Sequence, residues 1–242
     1  MKGATKTKPS RRAEGDGRLE LYDQYGELIH VVPPDVSASL RYLVVRTRTS
    51  EGGELPQRIG LTSAISGEGV SFVARSLAVV LANDAGKRVC LLDLNWWSQG
   101  VWPCNDPNLA GVADVIRGTV PLREALIETD HPMLEILPRG ATRSSERPVL
   151  ANHDLLPRIL DVLSAEFEHV VIDLPAIHAT SEALTLANAC ENVGLVVCQG
   201  VTPISQVREA VEELDGTNLL GVVINRASTK VPGFIRRRLP GA

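Results

Sequence analysis

Along this chain, short apolar runs alternate with longer stretches in which apolar residues recur every three or four positions. Runs at 58–63, 88–94, 134–138, 168–174, 193–199 and 219–225 are rich in Val, Ile and Leu, and most lack a polar alternate face. That pattern predicts strands buried on both faces of a parallel sheet. The stretches at 71–85, 110–117, 120–128, 153–166, 179–190 and 203–215 predict helices. The first carries Val73, Leu77, Val80 and Leu81 at helical spacing, and Gly86 follows it as a stop signal. Upstream, residues 36–48 follow Pro33-Pro34 and put Leu40, Leu43 and Val44 on one helical face, with Arg41, Arg46 and Arg48 elsewhere. Residues 17–32 alternate around Asp23-Gln24-Tyr25-Gly26, as a hairpin does.

The strand–helix alternation from Arg58 onward predicts an α/β fold: a doubly wound, mostly parallel sheet with helices on both faces. Ligands of such sheets bind at the carboxyl ends of the strands. The expected divisions are a flexible basic arm (1–17), the hairpin (18–35), the α/β domain (36–230) and a basic tail (231–242). A length of 242 residues, 44% of them hydrophobic, suits one large domain with a sizeable core. The net charge of −4 argues against an extended nucleic-acid-binding face.

No apolar run is long enough to span a bilayer. The start of the chain (Lys2, Lys6, Lys8, Arg11, Arg12) lacks the apolar core of a secretory signal. The expected location is the cytoplasm, with the inner face of the membrane as a place of contact. Cys90, Cys104, Cys190 and Cys198 form no Cys-x-x-Cys pair and are expected as buried thiols, and the five histidines show no metal-ligand spacing.

Candidate chemistry begins at Thr62-Ser63-Ala64-Ile65-Ser66-Gly67-Glu68-Gly69-Val70-Ser71. The spacing is that of a phosphate-binding loop, in which backbone N–H groups at a helix start converge on an anion. Gly67 and Gly69 permit the turn, and Ser71 can offer a hydroxyl to magnesium. Val70 stands where the pattern requires lysine, so a mobile charge worth about 10²–10³ in rate is missing. Phe72 adds bulk where a small residue would fit. The bland alternative is a tight strand-to-helix turn. Two acids tip the balance toward a nucleotide-site remnant. Asp93 and Asp173 each end an apolar strand at the carboxyl edge, where a carboxylate can hold magnesium or orient a nucleophile. Asn95, two residues past Asp93, can do neither as a base.

These motifs, in this order, resemble the bacterial tyrosine autokinases of capsule and exopolysaccharide synthesis, a branch of the deviant phosphate-loop proteins that includes the ParA and MinD ATPases. The resemblance runs from about Val36 to Ala227. The loop resembles Thr-Ser-x-x-x-Gly-Glu-Gly-Lys-Ser, and Gly86–Asn95 resembles the segment bearing an Asp-x-Asp pair. Gly111–Gly118 resembles Gly-Leu-x-Asp-x-Leu-x-Gly, and Leu137-Pro138-Arg139-Gly140 resembles a Leu-Pro-x-Gly strand end. Phe167–Pro175 resembles the Walker B strand. Gly221–Arg226 resembles the strand whose Asn contacts adenine, here Asn225 followed by Arg226.

The resemblance implies ATP or ADP with Mg²⁺ as cofactors. It implies a nucleotide site at Ser66, Gly67, Glu68, Gly69, Val70, Ser71, Phe72, Asn225 and Arg226, metal contacts at Ser71 and Asp93, and catalytic remnants at Asp93 and Asp173. The departures converge. Val70 replaces the phosphate lysine and Asn95 the second Asp. The ring-forming Glu-x-x-Arg-x-x-Arg helix is matched as Ala38, Arg41 and Val44. The tyrosine-rich tail is absent, since Tyr22, Tyr25 and Tyr42 all lie upstream. The chain is therefore expected to bind nucleotide weakly or not at all, and to be a non-catalytic regulatory or scaffolding relative. Its expected partner is a polysaccharide-export or membrane activator protein, an active kinase homologue, or a second copy. The alternatives are an active ATPase or tyrosine kinase with a compensated lysine (Arg75 and Lys87 being the nearby cations) and a ParA-like positioning ATPase. Trp96, Trp97 and Trp102 form either a partner surface or a local core. The tail Phe234-Ile235-Arg236-Arg237-Arg238-Leu239 either rests on acidic lipid or is solvated.

Overall fold

The computed structural model describes residues 17–98 and 109–227. The basic arm, the tail, Trp102 and Cys104 fall outside the described residues. Among those described, no helix is long and apolar enough to cross a membrane.

The strands are β1 (Leu19–Tyr22), β2 (Leu28–Val32), β3 (Arg58–Ser63), β4 (Val89–Asp93), β5 (Ile127–Glu128), β6 (Leu134–Leu137), β7 (His169–Asp173), β8 (Asn192–Cys198) and β9 (Asn218–Asn225), and all but β5 lie close to expected bounds. β1 and β2 form an antiparallel hairpin. The other seven make one sheet in the order β5-β6-β4-β7-β3-β8-β9. All of its pairings are parallel except β5 with β6. The consecutive Val, Ile and Leu of β4 and β7 are buried on both faces, as runs without alternation require.

The helices are α1 (Pro34–Ser50), α2 (Val70–Ala85), α3 (Val112–Ile116), α4 (Leu122–Ala125), α5 (Arg147–Ala151), α6 (Leu155–Glu166), α7 (Glu182–Ala189) and α8 (Ile204–Glu213). The expected helix at 120–128 is corrected. Only one turn forms after Pro121, and Ile127–Glu128 instead pairs antiparallel with β6. Thr129, next along, bridges to Asp23 of the hairpin. Edge pairing claims a segment too short to hold a helix by itself. Helix α5 was not legible because its five residues hold too few apolar positions to show a period.

The sheet separates two apolar layers. One contains Leu77, Leu81, Leu91 and Val171. The other contains Leu92, Leu160, Leu163 and Ile172, together with Trp96. The hairpin lies over α2. His30 Nε2 and Ser76 Oγ share a 2.9 Å hydrogen bond, and the His30 and Phe72 rings meet with centroids 5.2 Å apart.

Burial, reinforced by the nearby Arg75 charge, lowers the His30 pKa to about 4. The unfolded chain, titrating near 6.5, binds the proton first. His30 therefore contributes stability that is complete above about pH 6.5 and lost as the pH falls through about 4. Urea unfolding at pH 7 and pH 4 should show wild type losing up to about 3 kcal/mol more than His30→Gln over this interval. Equal losses would contradict this account of the hairpin contact.

Candidate functional site

β3 sits between β7 and β8 and delivers the loop into α2. Thr62 Oγ1 donates to the Pro175 carbonyl at 2.7 Å, and the His178 N–H donates to the Ala64 carbonyl at 3.1 Å. The turn needs left-handed backbone at Gly67 (φ 91°) and Gly69 (φ 93°). At Gly69 a side chain is doubly excluded, because a Cβ would lie 2.2 Å from Asn225 Nδ2. Ser66 and Gly67 are exposed at the tip. The first N–H groups of α2 are ones a helix leaves without internal partners. A phosphate anion fits this end of the loop.

The expected site residues divide by direction. The Val70 side chain is 7% exposed and belongs to the apolar layer that holds Val73 and Leu77. Phe72 turns toward His30. Glu68 folds inward, 1% exposed. Its carboxylate accepts from the Ile65 N–H and the Cys198 N–H, each at 2.9 Å, and from the Thr202 hydroxyl. Asn225 Nδ2 donates to the Glu68 carbonyl at 2.8 Å, so it fastens the loop from β9. Arg226 is exposed, with φ 54°, and its N–H donates to Asn225 Oδ1. Glu68 thus ties β3, β8 and the turn after β8 together. Sequence spacing places a residue in the loop but does not say which way it points.

Asp93 and Asp173 end adjacent strands as direct partners in register. They are 6% and 4% exposed. Asp93 Oδ1 accepts from the Asn95 N–H at 2.8 Å. The Ser71 hydroxyl donates to the Asp173 carboxyl, while Asp173 Oδ1 has no partner. Burial raises the Asp173 pKa to about 7, and repulsion from Asp93 adds to it. The Ser71 hydrogen bond and the charges of Arg75 and Arg139 oppose the rise. Burial also raises Asp93, against Arg139, the Asn95 N–H and Arg75.

Two cations therefore act electrostatically on the pair. Arg75 comes from the second turn of α2. Burial lowers its pKa, the two carboxylates favour its charge, and Arg139 repels it. Arg139 follows β6, and its Nη1 donates to the Asn95 carbonyl at 2.7 Å and the Ser98 carbonyl at 3.1 Å. The Trp96 indole N–H donates to the Arg139 carbonyl at 2.9 Å. Trp96, 1% exposed, is thus local core, and Trp97 packs on it edge-on. The Gly111–Gly118 and Leu137–Gly140 motifs dock on each other: Val112 and Ala113 N–H donate to the Pro138 and Arg139 carbonyls. A Cβ on Gly111 would fall 2.2 Å from the Gly140 nitrogen. Arg139 has the role sequence reasoning missed. Its signal was the Leu-Pro-x-Gly strand end, where only the x distinguishes this chain.

Arg75 and Arg139 both act electrostatically on Asp93 and Asp173, and the neighbouring position carries the neutral Asn95. Among the described residues no group of three or more His, Cys, Asp or Glu is placed to hold a metal.

No family model matches the chain. It is 28% identical over 195 residues to the tyrosine-protein kinase CpsD of Streptococcus agalactiae serotype Ia, covering 78% of this chain and 83% of that protein. It is 29% identical over 174 residues to the succinoglycan biosynthesis transport protein ExoP of Rhizobium meliloti, covering 69% of this chain but 22% of that longer protein. Among solved structures, the kinase domain of the Escherichia coli tyrosine kinase ETK superposes with a TM-score of 0.70 at 22% identity, covering 80% of this chain and 78% of that one. The septum site-determining protein MinD of Pyrococcus horikoshii, complexed with Mg-ADP, superposes at 0.56 and 21% identity over 76% of this chain and 77% of that one. At these identities the structural likenesses speak to the fold, which is phosphate-loop-like α/β.

Glu68→Ala should destabilise the protein by about 2–4 kcal/mol, because it leaves the buried Cys198 N–H and the Ile65 N–H without their acceptor. Glu68→Gln should cost less, since one amide oxygen still accepts. Chemical denaturation of both variants checks this, and an Ala variant as stable as wild type would rule out the staple.

Proposed function

We propose that the chain is a non-catalytic member of the bacterial tyrosine kinase family, whose proteins it resembles in sequence and fold. In this reading it acts as a regulatory or scaffolding component of exopolysaccharide or capsule synthesis or export, and binds nucleotide weakly. The observation that carries the proposal is the burial of Val70. A lysine missing from an open loop can be replaced by a neighbour's side chain. Here the position is filled by an apolar side chain built into the core, and the loop is fastened from beneath by Glu68 and Asn225.

Other features support the same reading. Asn95 offers no base beside Asp93. Arg41, the retained member of the helix that corresponds to ring assembly, pairs within its own chain, its Nε 2.5 Å from Asp84 Oδ2. The pair is too exposed to add much stability, but it engages the guanidinium. The names of the relatives, tyrosine kinases and a polysaccharide biosynthesis transport protein, supply the setting. A partner from such a system, met at the inner face of the membrane, is the expected interaction.

The competing reading is an active enzyme with Arg75 in place of the lysine. Arg75 favours it by acting electrostatically on the two carboxylates, but it stands in the second turn of α2 and not at the loop position that Val70 fills. Purified protein incubated with Mg-ATP should release no phosphate and form no phosphotyrosine above the level of Asp93→Ala. Hydrolysis that Asp93→Ala abolishes would overturn the proposal. Val70→Lys is expected to unsettle the core by about 1–3 kcal/mol and to restore no turnover.

A further inference from the structure

We propose that the chain's own C-terminal segment, centred on Phe234-Ile235, returns antiparallel along the free edge of β9 and closes it. Residues 228–242 lie outside the described residues; the surface that fits them does not. The inference is independent of whether the chain catalyses.

The two edges of the sheet differ. At one, β5 is two residues long, and the next residue, Thr129, bridges to Asp23 of the hairpin. At the other, β9 runs for eight residues, pairs with β8 alone among the described strands, and carries neither a charge nor a proline. An edge of that length and composition is a template for another strand, and proteins blunt or cover such edges. Both faces of β9 are also incompletely covered. Val222 and Ile224 stand in register beside Leu195 and Val197, on the face where α8 packs, and are 47% and 61% exposed. Glu213 of α8 faces His178, so helical spacing turns the exposed Ile204 to the other flank, toward this edge. On the opposite face of β9, Leu220 and Val223 line an apolar cleft with Leu43 and Val44 of α1.

The C-terminal segment meets these requirements in order. Arg226 leaves β9 with left-handed backbone (φ 54°), which turns the chain. Pro232-Gly233, a turn dipeptide, stands just before the apolar pair. Extended, the connection from Asn225 to Phe234 spans about 30 Å, as long as β9 itself, so Phe234 can reach any point on the edge. Phe234 and Ile235 are consecutive, so in a strand they point to opposite faces. One then covers Val222 and Ile224 while the other enters the cleft. An antiparallel course carries Arg236-Arg237-Arg238 toward the start of β9. Two exposed acids stand there, Glu212 in the last turn of α8 and Asp215 just past it, with Arg208 about two turns from Asp215.

Residue-resolved amide exchange on the full chain tests this. The β9 amides that do not bond to β8 should exchange about tenfold or more slowly than an unpaired edge, equally at low and high protein concentration. The double substitution Phe234→Asp, Ile235→Asp should return them to the unpaired rate while the amides of β7 keep wild-type protection, which shows that the variant is folded. Fast exchange of those edge amides in wild type would overturn the inference, and so would slow exchange that the double substitution leaves unchanged. Protection that grows with protein concentration would assign the edge to a second copy instead. Fast exchange together with binding to vesicles rich in phosphatidylserine, lost on the double substitution, would place the segment on lipid instead.

Discussion

Two carboxylates at the ends of neighbouring strands, both out of water, are the constraint around which this molecule is organised. A buried pair of like charges is tolerated only where something answers it. Asp173 shows the cost most plainly, with one oxygen unpartnered and a carboxyl that titrates near neutrality. Arg75 and Arg139 supply the answer through space. Each cation depends on a distant piece of structure: the entry of α2 for one, the docking of the α3 turn on the end of β6 for the other. Segments that would otherwise read as ordinary connections thereby become parts of one electrostatic arrangement.

The loop is held by a different kind of force. Glu68 satisfies three donors from inside, Asn225 reaches across from β9, and Val70 and the residues after it join the apolar layer. The contour that could receive a phosphate survives because it is fastened beneath, independently of any ligand. Contour and charge are separable properties of such a loop, and here they have been separated. That separation is the ground for the proposal that this chain serves as a part rather than as a catalyst.

Much of this was legible in the sequence where one physical rule dominates. Unbroken Val, Ile and Leu runs mark β4 and β7 because nothing but a doubly covered strand accommodates them. The loop, Asp93 and Asp173 are recognisable by order and spacing. Direction was not legible. Glu68 and Phe72 occupy site positions in the sequence yet turn inward and toward the hairpin, and no local pattern encodes that choice. The segment at 120–128 shows the same limit for secondary structure, since a partner strand far along the chain decides it. Arg75 and Arg139 stand 64 positions apart, and only the assembled fold lets both act on the same two carboxylates. The tryptophans after Asp93 carried two readings, and the burial of Trp96 selects the core.

What the account claims most centrally is that this loop keeps its shape without the cation chemistry of a working nucleotide site. Calorimetric titration of the wild-type protein with ATP, once with magnesium and once with a chelator, tests that directly. The account predicts weak heats of the same affinity in both titrations. Tight binding that appears only with magnesium would contradict it.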